Sequence, residues 1–239
     1  MKAKNICVVL LALLVFAASI LPATSSQAAE IEVTGDAYVT VNSGYVWRGT
    51  DYTGDADFVI QTGADLSAKG FTLSWWGNTN GDNMEMDEVD LVLDYSTDLN
   101  KMVSLSVGNI LYQVPGPTEY TTNEAYLGLG FGVLLDPAVT LYYMYDTPSD
   151  ADKTSYLDAS IGYGMDLNEK TSVSAGLLVG MYDFDFLNNL EVSVAADYAV
   201  SDQISISPAV LFSTPMSDDA EDAGIDDEFV GGVTVTLAF

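Results

Sequence analysis

"GGVTVTLAF" (231–239) alternates without a break: Val233, Val235, Leu237 and Phe239 fall on one face of an extended chain, and Gly232, Thr234, Thr236 and Ala238 on the other. Chain ends are usually frayed and polar. A terminal run this regular, closing on a bare aromatic ring, predicts a strand that is paired to its last residue. An apolar row suits a soluble core and a lipid-facing wall equally well. The opposite row is what tells the two apart.

The same two-residue period recurs over 36–48, 57–66, 71–78, 87–96, 102–113, 122–132, 138–146, 155–165, 171–182, 190–199, 203–213 and 229–239, which predicts twelve strands. Opposite their apolar faces stand Thr40, Asn42 and Gly44; Gln61 and Gly63; Thr72 and Ser74; Ser104, Ser106 and Gly108; Gly128 and Gly130; Ser160 and Gly162; Ser172, Ser174 and Gly176; Ser205 and Ser207. A solvated sheet face normally carries Lys, Arg and Glu. This face is small, neutral and crowded, as the interior of a closed barrel is.

The connections sort into two classes. After every second strand they are short: "SAKG", "STDLNK", "GVLLDPA", "MDLNEK" and "VSDQ". The others are longer and richer in acid: "GTDYTGDAD", "GNTNGDNMEMDE", "VPGPTEYTTN", "DTPSDADKTS", "YDFDFLNNL" and "STPMSDDAEDAGIDDE". Short turns at one end and long loops at the other are the pattern of an up-and-down outer-membrane barrel, with periplasmic turns and extracellular loops. "YSTDLNKMVSLSVG" and "YGMDLNEKTSVSAG" are weak copies of one hairpin; a propeller blade has a similar period, but its unit is four short strands.

Aromatic residues also sort by strand end. Tyr95, Phe131, Tyr163, Tyr198 and Phe239 mark the turn end of the apolar face, and Tyr45, Trp47, Phe58, Trp75, Tyr143, Tyr145, Phe212 and Phe229 the loop end. Two such rows around a band of Val, Leu, Ile and Ala are expected of interfacial girdles in outer-membrane lipid. The last strand must then pair with the first, because an open edge is not tolerated in lipid.

Residues 1–28 read as a secretory signal: Lys2 and Lys4, an apolar run from Ile6 to Leu21, then the small-x-small set Ser26-Gln27-Ala28, with cleavage after Ala28 or Ala29. The run is shorter than the roughly 20 residues of a spanning helix. Residues 29–239 are expected to form a single barrel domain. Its basic residues are Arg48, Lys69, Lys101, Lys153 and Lys170, against 35 acidic ones. That balance excludes nucleic acid as a partner and favours cations.

Histidine is absent and the sole cysteine, Cys7, lies in the signal segment. Catalysis by Ser–His, Cys–His or a His-held metal is therefore ruled out, and "GLGFG" (128–132) lacks the strand-to-helix setting of a nucleotide site. By strand parity Asp65, Glu88, Asp90, Asp94, Glu124, Asp158, Glu191 and Asp197 point inward, with Arg48 the one inward base, expected to pair with Asp57, Glu88 or Asp90. Burying unpaired carboxylates away from water is costly, so hydrated acids lining a lumen are expected; a filled, closed barrel is the competing arrangement. The acid-rich loops offer Asp82, Glu85, Asp218, Asp219, Asp222 and Asp226 as oxygen ligands for Ca²⁺, Mg²⁺ or a lipopolysaccharide bridge.

The stretch "SGYVWRGTDYTGDADFVIQTGADLSAKGFTLSWWGN" (43–78) resembles the opening of the TorF-type porin family of Gram-negative bacteria. Ser43, Tyr45, Arg48, Gly49, Gln61, Gly63, Gly70, Phe71 and Trp76 carry the likeness, with Trp47 where that family has Phe and Thr62 interrupting its Gln-Gly pair. The resemblance implies channel activity in the outer membrane. The aromatic terminal strand likewise resembles the signal read by barrel-assembly machinery. Together these readings predict a passive pore for small hydrophilic solutes with an acidic, cation-preferring lumen and no cofactor; the alternative is a closed barrel displaying acidic loops to partners.

Overall fold

The computed structural model describes residues 31–115, 120–147 and 153–239; the expected signal segment lies outside them. The first strand is β1 (Thr34–Asn42), followed by a two-rung hairpin of β2 (Val46–Trp47) and β3 (Thr50–Asp51). Then come β4 (Val59–Ala68), β5 (Phe71–Asn80), β6 (Met86–Asn100), β7 (Val103–Val114), β8 (Tyr120–Phe131) and β9 (Ala138–Asp146). The chain continues through β10 (Ser155–Asn168), β11 (Thr171–Tyr182), β12 (Phe186–Ala199) and β13 (Ile204–Pro215), then a one-turn helix α1 (Asp218–Asp222) and β14 (Glu228–Ala238). Twelve of these strands, all but β2 and β3, form one closed antiparallel barrel in which each pairs with its sequence neighbours and β14 returns to β1.

Closure satisfies every edge. β14 pairs with β1 from Gly232↔Asn42 to Ala238↔Asp36, and Gly35 and Phe239 exchange both backbone hydrogen bonds at 2.8 Å beyond the last rung. No strand of the barrel is left with unpaired N–H and C=O groups along one side, which is the requirement for residing in lipid. At the β4–β5 turn, Lys69 and Gly70 both have positive φ (52° and 84°). That is the turn geometry whose twist matches a tight hairpin.

The pleat sends apolar side chains outward and polar ones inward. Val39, Leu93, Val107, Leu127, Val194 and Val235 are exposed, whereas the most deeply buried large side chains include Glu124, Asn78, Asn188, Asn189 and Ser213. Burial is inverted relative to a water-soluble sheet. The expected girdle residues Tyr95, Phe131, Tyr163, Tyr198 and Phe239 all stand exposed on the outer face. Inward glycines make room for rings: Gly63 lies under Tyr38, and Gly108 under Tyr126.

Two connections differ from the sequence expectation. The first strand, expected to run 36–48, ends at Asn42, and Tyr45 and Trp47 leave the wall for the interior instead of marking its rim. Inside the barrel the chain reverses at Arg48 and Gly49, whose φ of 52° and 81° no strand can continue. "YDFDFLNNL", expected as a long loop, is a tight turn of Asp183–Asp185 joining two extended strands.

Candidate functional site

The segment between β1 and β4 folds into the barrel as a plug. Its start is tied to the wall by Ser43, whose N–H donates to the Gly231 carbonyl (2.9 Å) and whose Oγ accepts from the Gly231 N–H (3.0 Å). β2 and β3 pair Val46 with Asp51 and Trp47 with Thr50, so Arg48-Gly49 is the two-residue tip of a hairpin. Thr53 braces the base: its Oγ1 accepts from the Tyr45 N–H at 2.7 Å. A non-glycine residue at positive φ persists where its surroundings hold it there.

Those surroundings are the far wall. β9 is six strands from β1 in either direction round the barrel, and the tip reaches the strands around it. The Arg48 guanidinium donates Nη1–H to Glu124 Oε1 (2.8 Å) and Nη2–H to Oε2 (2.9 Å), a bidentate ion pair to β8. Tyr112 on β7 donates a third hydrogen bond to the same carboxylate at 2.9 Å. The guanidinium carbon also lies 4.0 Å from the centroid of Trp47, 4.3 Å from that of Tyr156 and 4.5 Å from that of Tyr142, within cation–π range of all three rings. Fork geometry and ring contacts together select Arg over Lys.

Two residues that strand parity did not single out complete the anchorage. Asn188 Nδ2–H donates to the Arg48 carbonyl (2.7 Å) and to Asn189 Oδ1 (3.0 Å). Asn189 Oδ1 also accepts from Tyr156 Oη–H (2.9 Å), while its Nδ2–H donates to Glu191 (2.8 Å). They lie at a β-bulge where β12 slips register against β11 opposite Gly180, and a bulge can turn consecutive side chains to one side. The only signal in the sequence is the polar pair itself, interrupting an alternating run. Ile225, in the loop after α1, packs over the tip against Gly49.

Strand register places Asp65, Glu88, Asp90, Asp94, Glu124, Asp158, Glu191 and Asp197 on the inner face. Near the loop end of their strands, Glu88, Asp90, Glu124, Asp158 and Glu191 surround the hairpin. Asp94 accepts from Tyr126 Oη–H at 2.6 Å and Asp197 from Ser207 Oγ–H at 2.5 Å, while Asp65 faces Asp36 across β1–β4. Arg48 pairs with Glu124, not with Asp57, Glu88 or Asp90, because the hairpin carries it across the lumen. Of the matched motif, Ser43, Tyr45, Arg48 and Gly49 build the plug, and Gln61 and Gly63 lie on the wall of β4.

The proposed metal ligands are not brought together. Asp82, Glu85, Asp218, Asp219, Asp222 and Asp226 are exposed, and among the described residues no three acidic side chains converge as a metal site. Asp218, Asp219 and Asp222 sit on α1, capped by Ser217, where the helical turn splays successive side chains. The charges of Asp218 and Asp219 complement the helix N-terminus.

A model of a bacterial protein family of unknown function, Gcw_chp, matches residues 25–204, a span containing the hairpin and the polar side chains that hold its tip. The chain belongs to the Gcw_chp family. No curated protein sequence gives a significant match. Among solved structures this Gcw_chp chain is similar to the KdgM porin, with 17% identity, TM-score 0.53, and 86% of this chain and 99% of that one covered. KdgM porin in complex with disordered oligogalacturonate gives 16% identity, TM-score 0.53 and coverage of 86% and 99%. The NanC porin gives 13%, 0.50, and 86% and 98%. At such identities the likeness is one of fold: a porin-like barrel, as the resemblance of 43–78 implied, while the TorF-type name has no support from it.

Proposed function

We propose that the chain is a porin of the Gram-negative outer membrane, admitting small hydrophilic solutes by passive diffusion and favouring cations. The observation that carries this is open space on both sides of the hairpin, within a barrel whose inner face carries the acidic side chains. A cavity of about 510 Å³, lined by Asn42, Gln61, Asp90 and Gly232 among others, lies on one side. One of about 690 Å³, lined by Glu88, Tyr120 and Thr154 among others, lies on the other. Tyr45, Trp47 and Tyr112 border both, so the hairpin is the constriction between two vestibules.

The charge balance supports the selectivity. Arg48, the base of the constriction, is neutralised by Glu124, which leaves the other inward carboxylates to set the field for a permeating ion. The exposed apolar band between aromatic rows supports a lipid setting, and residues 1–28 support export through a cleaved signal. Assembly machinery acting on the terminal strand and divalent bridging at the loops remain parts of the same reading. Absence of histidine from the chain supports a non-catalytic role. The close grip on the hairpin tip favours a second reading, a closed scaffold displaying its loops.

Reversal potentials across a salt gradient test the selectivity. The refolded barrel should pass cations over anions, and Asp90→Asn with Asp94→Asn should move its reversal potential toward zero. Unchanged potentials in that variant would remove these carboxylates from the lining.

A further inference from the structure

We propose that the larger vestibule, at the loop end, is a binding site for organic ammonium ions, specifically primary ammonium groups on an apolar body. The inference rests on the cation-preferring reading above and names the class of solute the vestibule retains. Six of its lining residues are aromatic, and two are carboxylates, Asp87 and Glu88. None of the described residues lining it is basic. Ammonium groups are attracted both to ring faces and to carboxylates, and the attraction strengthens where water is partly excluded.

The rings and acceptors are arranged in a way that the plug alone does not require. Tyr52 and Tyr120 remain 49% and 42% exposed at the wall of the vestibule, so their rings are available to a solute. Tyr45 packs tilted against Tyr52, ring centroids 5.5 Å apart, and against Trp76 at 5.3 Å, and Glu88 lines the same vestibule beside Tyr45. Asn78, in the same wall, is 1% exposed; its Nδ2–H donates to Asp87 at 2.8 Å, and its Oδ1 accepts no hydrogen bond among the described residues. Buried acceptors are rarely left without a donor. A primary ammonium brings three N–H donors, which the Asp87 and Glu88 carboxylates of the vestibule wall can accept, while its alkyl chain lies along the rings. A quaternary ammonium cannot donate, and a simple alkali ion gains nothing from the apolar surface.

The test is calorimetric titration of the full refolded barrel in detergent with butylammonium, n-butanol, butyrate and sodium. Butylammonium should bind saturably, and at least tenfold more tightly than the other three. Glu88→Gln and Tyr52→Ala should each weaken it fivefold or more, with heat-modifiable mobility on gels retained. Asp98→Asn, at the opposite end of the barrel, should change nothing. Butanol binding as well as butylammonium, no saturable binding by the folded barrel, or an equal loss in Asp98→Asn would each overturn the site. Because binding is read without conductance, a silent barrel that binds butylammonium would discard the pore and keep the site. A conducting barrel without binding would do the reverse.

Discussion

Arg48 meets three demands at once: a hairpin tip at positive φ, a bidentate pair with Glu124, and cation–π contact with three rings. Removing one partner of a buried ion pair leaves the other charge uncompensated, which costs about 3–5 kcal/mol, whereas replacing both with apolar groups is often nearly neutral. Glu124→Leu is therefore expected to lower the urea midpoint of the refolded barrel markedly, and Arg48→Met combined with Glu124→Leu to recover most of the loss. A double variant no more stable than Glu124→Leu would contradict the pairing. Arg48 was legible in the sequence as the lone inward base. Its partner was not, because the two lie 76 residues apart and periodicity says nothing of where a loop folds. Two residues along β8 from Glu124, Tyr126 crosses Gly108 to reach Asp94. Gly108→Val would force that ring aside at a cost of about 1–3 kcal/mol, measurable as a lower midpoint for loss of heat-modifiable mobility.

At the scale of elements, the strands were legible because lipid on one side and a crowded lumen on the other enforce a strict period of two. The hairpin was hidden by the same rule: "YVWR" (45–48) continues the alternation of β1, yet Arg48-Gly49 turns the chain back inside. Asn188 and Asn189 escaped parity because a bulge suspends it. They hold the hairpin tip to β12, so Asn188→Ala should loosen it. Trypsin provides the readout, since cleavage after Arg48 needs the tip to leave the wall. The wild-type barrel should resist cutting there, and Asn188→Ala should yield the fragment beginning at Gly49. Equal resistance in both would mean that the Glu124 pair and the ring contacts suffice.

For the whole molecule, closure and inversion are one property: a sheet with apolar residues outside survives in lipid only without edges. Phe239 completes the seam through its two backbone hydrogen bonds with Gly35. Deleting it should lower the yield of folded, heat-modifiable barrel without altering the strand content of what does fold; an unchanged yield would show the seam to be complete without it. The central claim is a water-filled lumen narrowed by the Arg48 hairpin. Its most direct test is single-channel recording in a planar bilayer, wild type beside a variant lacking Val46–Gly54. Discrete cation-selective steps from the wild type, and larger ones from the deletion, are the predicted result. A properly folded barrel that stays silent with the hairpin and without it would contradict the account.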